Sequence, residues 1–481
     1  MEVGIVGYGV YIPRFRIKRE ENSKVWGGRA RGENSVSNID EDVITMGTES
    51  ALNALDHSGL QPSKIEALYF GTNSSPRIDH SLLGIIAEVL DLSKEIDLVD
   101  FTSSPRANIS ALKSCQDAIA SKRIRFGLVV GGDCLLTLPG SPIELYSGAG
   151  ASGIVLGSED VFAEIEGIYS FSSHILDRWA APKTFSLTEY EPRFTLRYGY
   201  YDHIIKAAEG LLKKLGTNIR EYQHVVLQQQ EEGTFRTMIK ALGLNQGQLE
   251  AGSFFSEVGD LGNASVFFGL AKVLDRAKAG DRILLLSYGA GTGDAVSFKV
   301  NERLEAVRKQ GRGVETYLRA KEYLDYFALS KLQKSFKKEE EAPRLGLNPM
   351  SPALWRDGPF VRGLKGAKCT QCGYVNFPPS IRRICIRCGH TQFEEVKICR
   401  TGKVHAYCIS VYQPVGLQGP TPIIIADMDD GNRFRAIGTE MKLGGVKIEM
   451  AVEVVLRKLI DQNGVGIYGN LFRPPRVSTG A

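Results

Sequence analysis

The sequence predicts a large α/β fold, layered and internally duplicated, followed by a small metal-binding module and a small β-barrel. Three observations carry this prediction. From Val3 to about Val300, short apolar runs alternate with segments of helical periodicity. Asn108-Ile109-Ser110 and Asn263-Ala264-Ser265 each open a small-residue helix that leads into an apolar strand, as though one unit had been copied. Four cysteines then stand in two tight pairs, Cys369/Cys372 and Cys385/Cys388.

In the first part the expected strands are Gly4–Ile12, Ile65–Thr72, Ile96–Phe101, Phe126–Gly131, Val225–Gln228 and Ile283–Tyr288. Between them a helix is expected over Glu41–Leu55, with Asp40 as N-cap, and another over Asp202–Leu215, ended by Gly216. The helix after Asn263 is apolar nearly all round (Val266-Phe-Phe-Gly-Leu-Ala271), which places it between layers rather than on a surface. The expected core therefore has central helices between sheets, an αβαβα order. A charged stretch, Glu302–Lys337, reads as helical, with Tyr317, Leu318, Tyr323 and Leu324 as its apolar face. A linker rich in charge and proline follows at 338–352, then the metal module with a preceding helix at 353–395, and the barrel at 396–476.

At 481 residues the chain is long enough for more than one core. Its 59 basic and 55 acidic residues nearly balance, without the single-sign block that nucleic acid or a membrane surface would require. No apolar run approaches the length of a membrane span, and Val3–Ile12 reads as a strand rather than a signal peptide, so the expected compartment is the cytoplasm. The remaining cysteines, Cys115, Cys134, Cys399 and Cys408, are scattered singly and form no disulfide framework.

Each C-x-x-C pair ends in glycine (Gly373, Gly389) and can place two thiolates on one side of a zinc ion. Four cysteines fill a tetrahedral shell, so the zinc is expected to be structural, in a rubredoxin-like ribbon; His390 is not needed as a ligand. Beyond the ribbon, Lys403–Val411, Pro422–Met428, Arg433–Thr439, Ile448–Lys458 and Gly466–Leu471 read as five strands, the number of an OB-fold barrel. Those strands lack interleaved basic and aromatic residues, so no nucleic-acid partner is expected.

The opening Val3-Gly-Ile-Val-Gly-Tyr-Gly-Val-Tyr-Ile-Pro13, with Glu166–Phe171, Tyr201-Asp202-His203, Gly269–Asp275, Gly280–Leu284 and Ser287–Gly291, resembles 3-hydroxy-3-methylglutaryl-CoA synthases of the thiolase superfamily. The resemblance spans about residues 1 to 336. The C-terminal part, with Asp429-Asp430-Gly431 and the ending Asn470–Pro475, resembles the zinc-ribbon/OB-fold subunits that accompany thiolase-like proteins. The first likeness implies a duplicated thiolase-like fold, a homodimer and a CoA thioester ligand. The second implies a thiolase-type partner subunit.

The family uses a cysteine nucleophile, a histidine and a glutamate. Matched forward from Asp100, the cysteine position is Pro105; after Val225-Val226-Leu227 the histidine position is Gln228; after Phe70-Gly71-Thr72 the glutamate position is Asn73. The resemblance thus implies that catalysis by the family's residues is lost. Ser103, Ser104, Asp260 and Asn263 are the candidate substitutes. One reading is a catalytically degenerate subunit that binds CoA thioesters or scaffolds an acyltransferase complex; the other is an active acyl-CoA condensing or cleaving enzyme with non-standard residues. Cys115 and Cys134 are expected to be buried structural thiols, and His203 and His224 to cap or pack.

Overall fold

A computed structural model describes residues 2–77, 80–135, 137–180, 186–189, 191–231, 233–333, 351–377, 383–411, 420–462 and 465–476. Its contacts divide the chain into two units, Met1–Gly84 with Leu92–Phe336, and Ile85–Asp91 with Lys337–Ala481.

In the first unit the strands are β1 (Gly4–Tyr11), β2 (Ala67–Gly71), β3 (Asp97–Phe101), β4 (Phe126–Cys134), β5 (Ala149–Gly157), β6 (Ala163–Ser172), β7 (His224–Leu227), β8 (Arg282–Gly289) and β9 (Thr292–Val300). They form one sheet in the order β7-β8-β9-β6-β1-β5-β4-β2-β3. The duplication is visible in the pairing. In the first half β2 runs parallel to β4, β4 antiparallel to β5, and β5 antiparallel to β1. In the second half β7 runs parallel to β8, β8 antiparallel to β9, and β9 antiparallel to β6. Within the sheet, the halves join where β1 meets the start of β6, at Gly4–Glu164 and Ile5–Ala163.

Four helices complete the layers: α1 (Val43–Ser58), α2 (Ala107–Ala120), α3 (Asp202–Leu215) and α4 (Ser265–Leu274). Helix α1 covers β1 and β5, and α3 covers the matching pair β6 and β9. Helices α2 and α4 lie inside, and α4 touches strands of both halves. Every residue of α4 is buried, as its all-round apolar sequence requires. Ile109 and Leu112 of α2 share one apolar core with Phe267 and Leu270 of α4 and with Leu285 and Val296 of the second half. Each such side chain contributes roughly 1.5–3 kcal/mol on burial, so the interior between the halves is the main stabilising layer.

Some local expectations fail for identifiable reasons. The cap of α1 is Asp42 rather than Asp40: its carboxylate accepts from the N–H groups of Ile44 and Thr45, and Thr45 Oγ1 accepts from the Asp42 N–H in return. The stretch after Val300 is not one helix. It breaks into short helices at Leu304–Arg308, Val314–Arg319 and Tyr326–Leu332, with Gly311 and Gly313 between the first two. Tyr323 and Leu324 lie instead on a short strand that pairs with Arg16 and Ile17, while Tyr317 and Leu318 are buried as expected. The linker expected at 338–352 falls outside the described residues up to 350, and a helix, α5 (Ser351–Gly363), already covers its last two positions.

In the second unit, β10 (Lys365–Cys369) pairs with β11 (Val375–Asn376) and β12 (Phe393–Lys397) to carry the cysteines. Five strands follow, as the alternation predicts: β13 (Thr401–Ser410), β14 (Thr421–Met428), β15 (Arg433–Ile437), β16 (Ala451–Gln462) and β17 (Val465–Arg473). Their order is β15-β14-β13-β16-β17, and a bridge between Gly438 and Phe472 nearly closes the barrel. Val404, Ile424, Val452 and Phe472 fill its interior.

Candidate functional site

The segment between β3 and α2 brings Ser103, Ser104 and Pro105 to the face where the two halves meet. Ser103 is held at φ +69°, a left-handed conformation unusual for serine, and this sharp strand-to-helix turn delivers Pro105 to the start of α2. Pro105 packs directly over Gly289 at the end of β8, where any side chain would collide with its ring. Gln228 follows β7 and is buried. Its Oε1 accepts from Ser287 Oγ at 2.7 Å and from the Tyr288 N–H at 3.0 Å, while Nε2 donates to the Pro105 carbonyl at 3.5 Å. The Tyr200 hydroxyl donates to the Gln228 carbonyl.

Asn263, just before α4, meets the same turn from the other side. Its Nδ2 donates to the Ser104 carbonyl at 3.1 Å, and its Oδ1 accepts from the Asn108 N–H at 3.2 Å. The two asparagines that mark the duplication in the sequence therefore touch at its centre.

A residue that the sequence reading missed organises this centre. Asp133, fully buried near the end of β4, accepts six hydrogen bonds: from Thr72 Oγ1, the Asn73 and Ser74 N–H groups, Ser74 Oγ, the Asn263 N–H and Asn263 Nδ2. Burial pushes its pKa up, and the N–H groups of Asn263 and Asn73 counter that rise. Asn73 thus joins the centre through its backbone, while the residue itself is exposed. A second missed acid, Asp294 on β9, receives Lys113 Nζ at 2.5 Å, Ser170 Oγ at 2.6 Å and the Arg106 guanidinium, tying α2 to the second half.

The remaining candidates stand apart. Asp260 is buried and accepts from the Gly262 N–H at 2.9 Å, with Arg178 at 3.2 Å; burial raises its pKa and Arg178 opposes the rise. Ser103 is exposed, and its hydroxyl lies 3.4 Å from Thr102 Oγ1. Cys115 is fully buried, with burial pushing its thiol up; Cys134 is only partly covered by neighbours but its thiol is pushed the same way. His203 bonds Ser173 Oγ at 2.7 Å and the Gly199 carbonyl, and His224 bonds Asp281 at 3.1 Å. The side chain of Asn108 is fully buried, and neither its Nδ2 nor its Oδ1 has a hydrogen-bond partner among the described residues.

In the second unit the sulfurs of Cys369, Cys372, Cys385 and Cys388 all lie within 4.8 Å of one another. Cys369 and Cys388 are 3.5 Å apart and Cys372 and Cys385 3.6 Å. A tetrahedron with metal–sulfur bonds of about 2.3 Å has edges of about 3.8 Å, so the donor set fits zinc. Gly373 and Gly389 close the knuckles at φ +73° and +78°, which glycine adopts without strain. Burial opposes the Cys385 thiolate, but the N–H groups of Arg387 and Cys388 outweigh it and bring the thiol pKa down to about 6. His390 turns to Thr370 Oγ1 at 3.1 Å and takes no part in the cluster.

A duplicated layered fold whose two halves meet at the N-terminus of a central helix is a thiolase-like fold. No protein-family model matches the chain. It is 35% identical to the hydroxymethylglutaryl-CoA synthase of Methanopyrus kandleri over 344 residues, which are 70% of this chain and 98% of that protein. It is 33% identical to the synthase of Methanocaldococcus jannaschii over 343 residues, 69% and 99% of the two chains. The chain belongs to the hydroxymethylglutaryl-CoA synthase family. Among solved structures, the fold matches a synthase complexed with CoA at a TM-score of 0.63 and 16% identity, covering 73% of this chain and 95% of that one. It also matches the synthase of the curacin biosynthetic pathway, in complex with its holo donor acyl carrier protein, at 0.61 and 19% identity, covering 69% and 88%. Among the described residues, no helix is long and apolar enough to cross a membrane.

Proposed function

We propose that this chain is a non-nucleophilic member of its family, which binds a CoA thioester without forming an acyl-enzyme and scaffolds a thiolase-type acyltransferase complex. The observation that carries the reading is the use of the side chains at the centre. Pro105, at the position matched to the family's cysteine, has no group to acylate. Gln228, at the histidine position, directs both ends of its amide into the protein and has no titratable group for general acid–base work. Asn73, at the glutamate position, cannot carry a proton near neutral pH. The orphaned Asn108 amide supports a retained ligand, because an unsatisfied buried polar group costs about 1–3 kcal/mol that a bound carbonyl or amide can recover.

In this reading Cys369, Cys372, Cys385 and Cys388 hold a structural zinc, and the ribbon and barrel supply the contact with the partner enzyme. The first unit forms a homodimer; its sheet ends on β3, which among the described residues pairs on one side only. The strained turn at Ser103 is the one feature that favours the alternative, an active acyltransferase with serine in place of cysteine. Among the described residues, no titratable side chain is hydrogen-bonded to the Ser103 or Ser104 hydroxyl to serve as its base.

The test is to incubate the purified chain with an acyl-CoA, alone and with an intact thiolase co-expressed with it, and to follow release of free CoA. Release only in the mixture supports the scaffold. Release by the chain alone, lost on Ser103→Ala, establishes the alternative.

A further inference from the structure

The barrel carries an open strand edge whose geometry is complementary to itself. Strand β13 pairs with β14 along most of its length, from Gly402–Met428 to Ser410–Thr421. On its other side it pairs with β16 only at Thr401, Gly402 and Lys403, and the last main-chain bonds there join Val404 to Met450 and Glu449. Among the described residues, no strand pairs with Ala406–Ile409 on that side. The main-chain direction follows from one bond. The Gly438 N–H donates to the Pro422 carbonyl at 2.8 Å, so Pro422 turns its polar groups toward β15 and away from β13. Ile409 stands opposite Pro422, so its own N–H and C=O face the open edge; by alternation those of Tyr407 do too, and those of Cys408 face β14.

The side chains on this stretch are not those of a protected edge. Tyr407 is 41% exposed, Ile409 38% and Val411 71%, and no charged residue interrupts Ala406–Val411. An uncharged, apolar, unpaired edge is a template for another strand.

We propose that β13 pairs antiparallel with β13 of a second copy of this chain, about a two-fold axis at Cys408. The register selects this occupant. With Cys408 opposite itself, Tyr407 faces Ile409 of the other copy and Ile409 faces its Tyr407, the aromatic and β-branched combination that stabilises cross-strand neighbours. The residues with outward main-chain groups, Tyr407 and Ile409, become the hydrogen-bonded pairs. The antiparallel arrangement also sends the two Lys403 ends in opposite directions, so like charges do not meet. This contact does not depend on the reading of the first unit.

The register makes a sharp test. Cys408 and its counterpart form a non-hydrogen-bonded pair, with Cα atoms about 4.5 Å apart. That separation lies within disulfide range. Treating the full folded chain with diamide, which takes up the two hydrogens of a thiol pair, is expected to give a covalent dimer on non-reducing gels that Cys408→Ser abolishes. Ile409→Lys places a charge at the contact and is expected to lower the dimer yield at least tenfold with an unchanged circular dichroism spectrum. Ile409→Pro removes an N–H that faces the open edge and is expected to act the same way, again with an unchanged circular dichroism spectrum. Absence of a Cys408-dependent dimer, or a dimer yield indifferent to both Ile409 variants, overturns the proposal.

Discussion

The centre around Gln228 and the cluster around Cys369 are both made where tight turns bring distant main chain together, yet they use their side chains in opposite ways. At the cluster, four sulfurs converge on a space of the right size for an ion. At the centre, the Asn263 amide and the Asp133 carboxylate meet each other, and the amides of Asn263 and Gln228 reach main chain. The first arrangement can hold an ion; the second holds the protein together. Hydrogen-bonding side chains of Gln228 and Asn263 thus carry contacts between the halves at this centre.

Breaking the cluster is expected to have the largest effect. Zinc bound by four thiolates contributes directly to folding, so Cys385→Ser or prolonged chelation should abolish stoichiometric zinc, measured by atomic emission, and unfold the ribbon. The first unit should keep its far-ultraviolet spectrum. Next comes the hub of the centre. Asp133→Ala removes the shared acceptor of six hydrogen bonds and should destabilise the first unit by about 3 kcal/mol in urea unfolding, the upper end for leaving buried donors without a charged acceptor. Gln228→Ala removes one amide from that lattice and should cost about 1–3 kcal/mol by the same measurement. A Gln228 variant that proves neutral would mean that the amide is kept for a ligand rather than for the fold.

The smallest effect sharpens the comparison through pH. His57, at the end of α1, is buried with Nδ1 on the Tyr8 carbonyl at 2.5 Å, and burial holds its pKa below the ordinary histidine value despite Tyr8 and Asp275. The unfolded chain takes up this proton first as pH falls. Stability from neutral His57 is therefore complete above about pH 6.5 and declines below it. Urea midpoints at pH 7.5 and 5.5 should differ by the equivalent of about 1 kcal/mol, and His57→Gln should reduce that difference.

What was legible in the sequence was what is local. The two knuckles announce themselves by spacing and terminal glycines, and the Asp202–Leu215 helix by its periodicity and Gly216. The five barrel strands alternate clearly enough to be found within a few residues. Of the strands that escaped, β5 is rich in glycine, alanine and serine and lacks the bulky apolar signal that strands usually carry, while β6 and β9 interleave polar and charged residues with apolar ones. The charged stretch after Val300 looked helical because its composition is, but Gly311 and Gly313 interrupt it and Arg16 and Ile17 recruit its end into a sheet. Asp133 and Asp294 carried no local signature at all. Their roles are created by residues more than a hundred positions away, Asn263 for the one and Arg106 for the other.

The central claim is that a CoA thioester is bound here and not attacked. Intact-mass spectrometry of the full chain after incubation with acetyl-CoA, paired with calorimetric titration of the same ligand, tests it most directly. The account predicts saturable binding with an unmodified protein mass. An added acetyl group at Ser103 or Ser104 would contradict it.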